Sequence, residues 1–347
     1  MIKEIKIENF KSIESLNLEL GRLNVFIGAN GSGKSNILEG ISVGRAALEN
    51  KLDGEFLFAR GIRVLDDVYT PSMFNANNEK PMHITFENDE PIDVKIYKGG
   101  WEIKEPFDLQ PLPTETIKDK NKIISRKFNS VNGYQPFLIY APENTYLRNF
   151  VEEGQMKPLG VRGEGLFNHL VKIFKEKPKY FESINENLEL LDWFDSFEIP
   201  TDLMFTEKRI KIKDRYLEEG IQYFDQRSAN EGFLYLLFYL TLFISDETPK
   251  FFAIDNIDNA MNPKMGNELV NLLAKLSKEH DKQVILTTHN PSVLDGLDLS
   301  DDDQRLFVIS RNKKGHTQAL RVPHRESEER LSYRFIRGSI GGLPKNF

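Results

Sequence analysis

Gly28-Ala29-Asn30-Gly31-Ser32-Gly33-Lys34-Ser35 lies between an apolar run, Leu23-Asn24-Val25-Phe26-Ile27, and a stretch, 36–49, with Ile37, Leu38 and Ile41 on one helical face. The pattern is G-x-x-x-x-G-K-[ST], and each position has a chemical reason. The glycines let successive backbone N–H groups converge on a phosphate without a Cβ in the way. The helix that follows begins at the phosphate, where its dipole favours an anion. Lys34 reaches the β- and γ-oxygens, and the Ser35 hydroxyl ligates Mg²⁺. The stretch predicts a strand, loop and helix that bind ATP with Mg²⁺. Its candidate contact residues are Asn30, Gly31, Gly33, Lys34, Ser35 and Asn36.

A phosphate loop needs an acid at the end of a neighbouring strand to hold the metal. Phe251-Phe252-Ala253-Ile254-Asp255 supplies four apolar residues and then Asp255, which joins Ser35 as a metal candidate. Asn256 follows, where such ATPases usually place a glutamate to polarise the attacking water. An amide hydrogen-bonds to water but cannot take its proton. Turnover is therefore expected to be slow unless Asp258 or another carboxylate compensates. Val284-Ile285-Leu286-Thr287-Thr288-His289 is a second apolar strand, and its histidine follows Asp255 by 34 residues across one predicted helix. In a parallel sheet both residues reach the same carboxyl edge, and His289 then donates a hydrogen bond to the γ-phosphate. The candidate catalytic set is Lys34, Asp255, Asn256 and His289. The other histidines show no metal-ligand spacing.

The 347 residues are 39% hydrophobic and 29% charged, as in an ordinary globular protein, with a net charge of −7. An acidic balance gives no support to a dedicated nucleic-acid module. No cysteine is present, which excludes disulfides, thiolate catalysis and cysteine-ligated metals. Met1 to Glu8 alternates charged and apolar residues, unlike a signal peptide. The longest apolar run, Phe233 to Ile244, falls short of a bilayer span and reads as a core helix, so no membrane role and a cytoplasmic location are expected.

Strands are expected at 2–7, 16–20, 23–27, 82–104, 137–140, 208–213, 251–254, 284–287, 306–310 and 317–322, with helices at 36–49, 163–194, 231–245 and 264–280. Short apolar strands alternating with helices imply an α/β sheet flanked by helices, and the strand-rich first half implies an added antiparallel β layer. We expect 1–105 and 226–347 to form the nucleotide-binding part, with a helical insertion at 106–225. Within it, the proline-rich 106–113 and the basic run Lys118, Lys120, Lys122, Arg126 and Lys127 read as a surface loop.

These pieces together resemble the ABC-type ATPases of the SMC/RecF/OLD group. The opening Ile7-Glu8-Asn9-Phe10-Lys11-Ser12, the loop at 28–35, the segment from Ile254 to Pro263 and Thr287-Thr288-His289-Asn290-Pro291 carry the resemblance. The closing Arg337 to Pro344 resembles the tail of stand-alone OLD-like ATPases. The resemblance implies the P-loop NTPase fold of ABC type with a mixed central sheet. It also implies a signature motif that reaches across a dimer. Asn230 and Gly232 stand at that place, 23 residues before Asp255 in the case of Gly232, while a shifted register would use Ser228. The same residues also read as an ordinary helix cap. A nucleotide-dependent homodimer holding two ATP molecules follows from the resemblance. Only 58 residues follow His289, too few for the Toprim metal-binding domain of OLD nucleases, so effector chemistry is expected on a separate protein such as a nuclease, in anti-phage defence. Two other readings stay open: a RecF-like ATPase clamping DNA through the basic run, and a nucleotide-binding structural protein without turnover.

Overall fold

The computed structural model describes the chain apart from residues 64–79, 88–90, 99, 105–135, 152–155, 201–207, 219–222, 260, 326–328 and 343–347. The proline-rich stretch and the basic run at 118–127 lie outside the described residues. The chain divides into two compact units. One comprises Met1–Ile139, Pro249–Ile257 and Gln283–Phe347; the other comprises Tyr140–Thr248 and Asp258–Lys282. The segment 226–347, read from sequence as one piece, is shared between them. The reason is topological, since two strands of one parallel sheet are joined by a helix that packs elsewhere.

The first unit holds two sheets. Strands β1 (Glu4–Phe10), β2 (Ile13–Glu19), β4 (Met82–Glu87), β5 (Ile92–Tyr97) and β6 (Gly100–Lys104) form an antiparallel sheet in the order β2-β1-β4-β5-β6. Alternation drives it, since Ile5 and Ile7 are fully buried while Lys6 and Glu8 are not. The second sheet runs β13 (Thr317–Val322), β12 (Gln304–Arg311), β3 (Leu23–Ile27), β11 (Gln283–Thr288), β10 (Phe251–Ile254) and β7 (Ile139–Tyr140). Strands β12, β3, β11 and β10 are mutually parallel, and β13 returns antiparallel. Every residue of β3 and β11 is buried, as strands covered on both faces must be.

Helix α1 (Lys34–Leu48) supplies Ile37, Leu38 and Ile41 to a core shared with both sheets. It approaches the antiparallel sheet closely at Gly44, where a Cβ would lie 2.9 Å from Ile84 Cγ2. The short helix α2 (Gly54–Phe58) adds to the elements expected from periodicity. Beside it, the buried Arg60 guanidinium stacks on the Phe56 ring at 3.5 Å and pairs with Glu49.

The second unit surrounds α6 (Glu231–Ile244), apolar on all sides and buried from Phe233 to Ile244. Around it pack α3 (Asn144–Asn149), α4 (Leu166–Glu176), α5 (Pro178–Leu188) and α7 (Pro263–Glu279). The helices expected within 163–194 are α4 and α5, broken before Pro178, and the hairpin β8 (Phe194–Glu198) and β9 (Lys211–Asp214) follows them. Among the described residues no helix is long and apolar enough to cross a membrane.

Candidate nucleotide site

The site belongs to the first unit and is built by strand ends. Register aligns them: Ile27 pairs with Thr288, and Ile254 with Leu286. Gly28, Asp255 and His289 each follow those strands, so all three leave the sheet at one carboxyl edge, where parallel sheets receive ligands. Strand order β10-β11-β3 thus brings loop, acid and histidine together.

Within the loop, Gly33 sits at φ 110°, a conformation that favours glycine, and starts α1 without a side-chain cap. The buried Lys34 ammonium donates to Gly28 O at 2.7 Å and Ala29 O at 3.3 Å. A phosphate oxygen offers that ammonium a charged acceptor, a stronger partner than a neutral carbonyl. Ser35 Oγ donates to Asp255 Oδ2 at 3.3 Å. A hydroxyl and a carboxylate that close, at the edge of a phosphate loop, are the hard oxygen donors that suit Mg²⁺. Asn30 and Gly31 are exposed on the loop, and Asn36 Nδ2 donates to Ser12 Oγ at 2.6 Å.

Thr287 is the residue that sequence reasoning passes over. Its hydroxyl donates to Asp255 Oδ1 and accepts the backbone N–H of Asn256 at 2.9 Å. Ile257 N donates to Thr287 O at 3.0 Å. One buried threonine therefore holds the acid and turns the chain, with Asn256 in the left-handed region at φ 55°. The signal lies in Thr287-Thr288-His289, a triplet whose histidine draws the eye first. His289 itself is exposed, on a turn where Asn290 N donates to Thr288 Oγ1 at 3.0 Å and Asn290 Oδ1 accepts Ser292 N at 3.0 Å. Arg311, which no motif marks, donates from Nε to Gly31 O at 2.7 Å.

Asn230 and Gly232 belong to the second unit. Asn230 Oδ1 accepts Phe233 N at 2.8 Å, so this residue does cap α6. Arg148 donates to the carbonyls of Arg227 and Ala229 at 2.6 and 2.8 Å and so shapes the loop that leads into the cap. Among the described residues no group of three or more potential ligands gathers for a metal, and Asp301-Asp302-Asp303 forms a turn in which Asp301 Oδ1 accepts Asp303 N at 3.1 Å.

Comparison with known proteins adds to this geometry. Residues 23–295 match the family described as AAA domain, putative AbiEii toxin, Type IV TA system. The chain is 25% identical over 203 residues to the DNA replication and repair protein RecF of Streptococcus suis, covering 55% of this chain and 49% of that one. It therefore spans about half the length of that relative. It is 24% identical over 153 residues to the OLD nuclease of Thermus scotoductus, covering 38% and 29%. An SMC head bound to the C-winged helix domain of ScpA shares the fold with a TM-score of 0.60 at 16% identity, covering 93% of this chain and 98% of that one. Strand ends, loop and comparisons agree, and the chain belongs to this AAA family, as an ABC-type ATPase of the SMC/RecF/OLD group.

Proposed function

We propose that the chain binds Mg-ATP, hydrolyses it slowly, and closes on it as a head-to-tail homodimer that serves as sensor or scaffold for a separate effector. The observation that carries the reading is the Ser35 hydroxyl 3.3 Å from the Asp255 carboxylate, beside the Lys34 ammonium and its loop. In this reading Lys34 and the loop N–H groups hold the phosphates, while Ser35 and Asp255 hold Mg²⁺. The metal, when bound, neutralises charge on the phosphate oxygens. Asn256 orients water without accepting its proton, and His289 hydrogen-bonds to the γ-phosphate. Asn230 and Gly232 of one copy meet the nucleotide of the other. The family description, which names a toxin, and the OLD nuclease relative support a nuclease as the effector, and the setting of this reading is anti-phage defence in the cytoplasm.

The test is to size the protein by light scattering with and without Mg-ATP while measuring phosphate release. The reading expects a mass that doubles with Mg-ATP and a low, steady release. A constant monomer mass with no release would sink it. The RecF relative favours a second reading, in which the closed dimer clamps DNA. Salt-dependent binding to duplex DNA, lost on neutralising Lys118, Lys120, Lys122, Arg126 and Lys127, would support it.

A further inference from the structure

Behind the phosphate loop lies a chain of buried hydroxyls that the ATP-binding reading does not use. Ser12, in the turn between β1 and β2, and Thr317, the first residue of β13, are 3% and 1% exposed. Their oxygens are 2.6 Å apart. Asn36 Nδ2 lies 2.6 Å from Ser12 Oγ, and Thr317 Oγ1 lies 3.3 Å from the carbonyl oxygen of Ser32. Thr317 N also donates to Ser12 O at 2.8 Å.

The proton order follows from the ends of the chain. A carbonyl only accepts, so the Thr317 hydroxyl donates to Ser32 O. Thr317 has one proton, so it accepts from the Ser12 hydroxyl. Ser12 in turn accepts from the Asn36 amide, which fixes that amide's orientation. Each hydroxyl donates once and accepts once. The Ser32–Gly33 peptide is trans, so its C=O and N–H point in opposite directions. Holding the carbonyl toward Thr317 aims the Gly33 N–H away from it. Accepting a hydrogen bond also polarises the peptide, which makes that N–H a stronger donor. The fit is close: a Cβ on Gly33 would meet Thr317 Oγ1 at 2.1 Å.

We infer that Ser12 and Thr317 are positioning residues for the phosphate loop, a relay that orients the Ser32–Gly33 peptide to donate to the nucleotide's phosphates. This rests on the reading of the loop as an ATP site. The test is calorimetric titration of Mg-ATP and Mg-ADP into wild type, Thr317→Val, Thr317→Ser and Ser12→Ala, with steady-state phosphate release alongside. Thr317→Val keeps the shape and removes the donor, and is expected to weaken both nucleotides by about tenfold. Thr317→Ser restores binding to within about twofold of wild type. A donor that grips ground state and transition state alike raises KM and spares kcat, which a general loosening of the fold would not do. Equal affinity in wild type and Thr317→Val, or Thr317→Ser as weak as Thr317→Val, overturns the relay alone. Should Thr317→Val fail to fold, undiminished binding by Ser12→Ala overturns it just as well. A wild type that binds neither nucleotide overturns the functional reading beneath it.

Discussion

Helices α1 and α6 begin in opposite ways. The first starts at Gly33 with no side-chain cap and no acid in its opening turn. The second starts at Asn230, whose side chain takes Phe233 N, with Glu231 in its first turn. Helix α7 follows the second pattern, with Asn262 accepting Met265 N at 2.9 Å. Every helix leaves its first N–H groups without partners inside the helix, and a polar cap contributes about 1 kcal/mol. Helix α1 forgoes that stabilisation and leaves its donors to a ligand. Helix α6 meets its own need first. Any contact that Asn230 makes with the phosphates held by a second copy falls to its Nδ2 donors, since phosphate oxygens only accept. The open start is not sufficient by itself, since α4 also begins at a left-handed glycine, Gly165, with no side-chain cap; at α1 the glycine-rich loop, Lys34 and the nearby Asp255 carboxylate make it a place for an anion and its metal.

The open start gives the largest expected effect. Lys34→Ala removes the ammonium that bonds to Gly28 O and Ala29 O. Phosphate release should fall about a thousandfold, the loss typical when a group that stabilises developing charge is deleted. Thermal stability should change little by comparison. Residual release near the wild-type rate would show that the open start is not the nucleotide site.

The far end of α6 gives the next. There Lys282, 1% exposed, donates to Ser245 O at 2.7 Å and Thr248 O at 3.0 Å, closing the helix from within the core. His169 Nε2 lies 2.8 Å from Ser245 Oγ, and its Nδ1 is buried without a hydrogen-bond partner among the described residues. Burial lowers the His169 pKa from 6.5 to about 4. The unfolded chain thus takes up a proton that the native ring refuses. Stability is full above pH 6.5 and falls as pH drops toward 4, by about 3 kcal/mol from this group. Denaturant midpoints across that range should show the decline in wild type, and a shallower one in His169→Gln. Parallel curves would place the acid sensitivity elsewhere.

Asn256 offers a gain. Its φ of 55° lies where asparagine is tolerated far better than glutamate. Asn256→Glu restores a proton acceptor at a cost of about 1 kcal/mol in backbone strain. Phosphate release should rise by about tenfold, while the melting point drops. Unchanged release would mean that another carboxylate already serves.

These contrasts also explain what can be read from sequence. The limits of β3 and β13 match the expected ones to the residue, and α6 and α7 to within one, because apolar periodicity and caps are local. Lys34, Ser35 and Asp255 stand out because phosphate chemistry dictates residue type and spacing. Thr287 and Thr317 do not, since a lone threonine signals nothing until topology sets its hydroxyl beside a partner. Strand β8 hides behind α5 because Phe194 and Phe197 fit helical spacing as well as a strand. The two compact units are invisible in the sequence because the chain passes between them several times, and no composition shift marks those crossings.

The smallest effect tests the capped start directly. Asn230→Asp keeps an oxygen for Phe233 N, whereas Asn230→Ala removes it. If capping is all that Asn230 does, Asn230→Ala loses about 1 kcal/mol of stability, and ATP hydrolysis per folded molecule stays at the wild-type value. If its Nδ2 also reaches a second copy's nucleotide, both variants weaken Mg-ATP-dependent dimerisation, because an ionised aspartate has no donor. Light scattering over a dilution series separates the outcomes. A loss of stability in Asn230→Ala with dimerisation intact in both variants assigns the residue to its own helix and moves the contact between copies to Gly232 or Ser228. A loss of dimerisation in both gives it to the dimer as well, because aspartate makes the cap as asparagine does but has no amide donor.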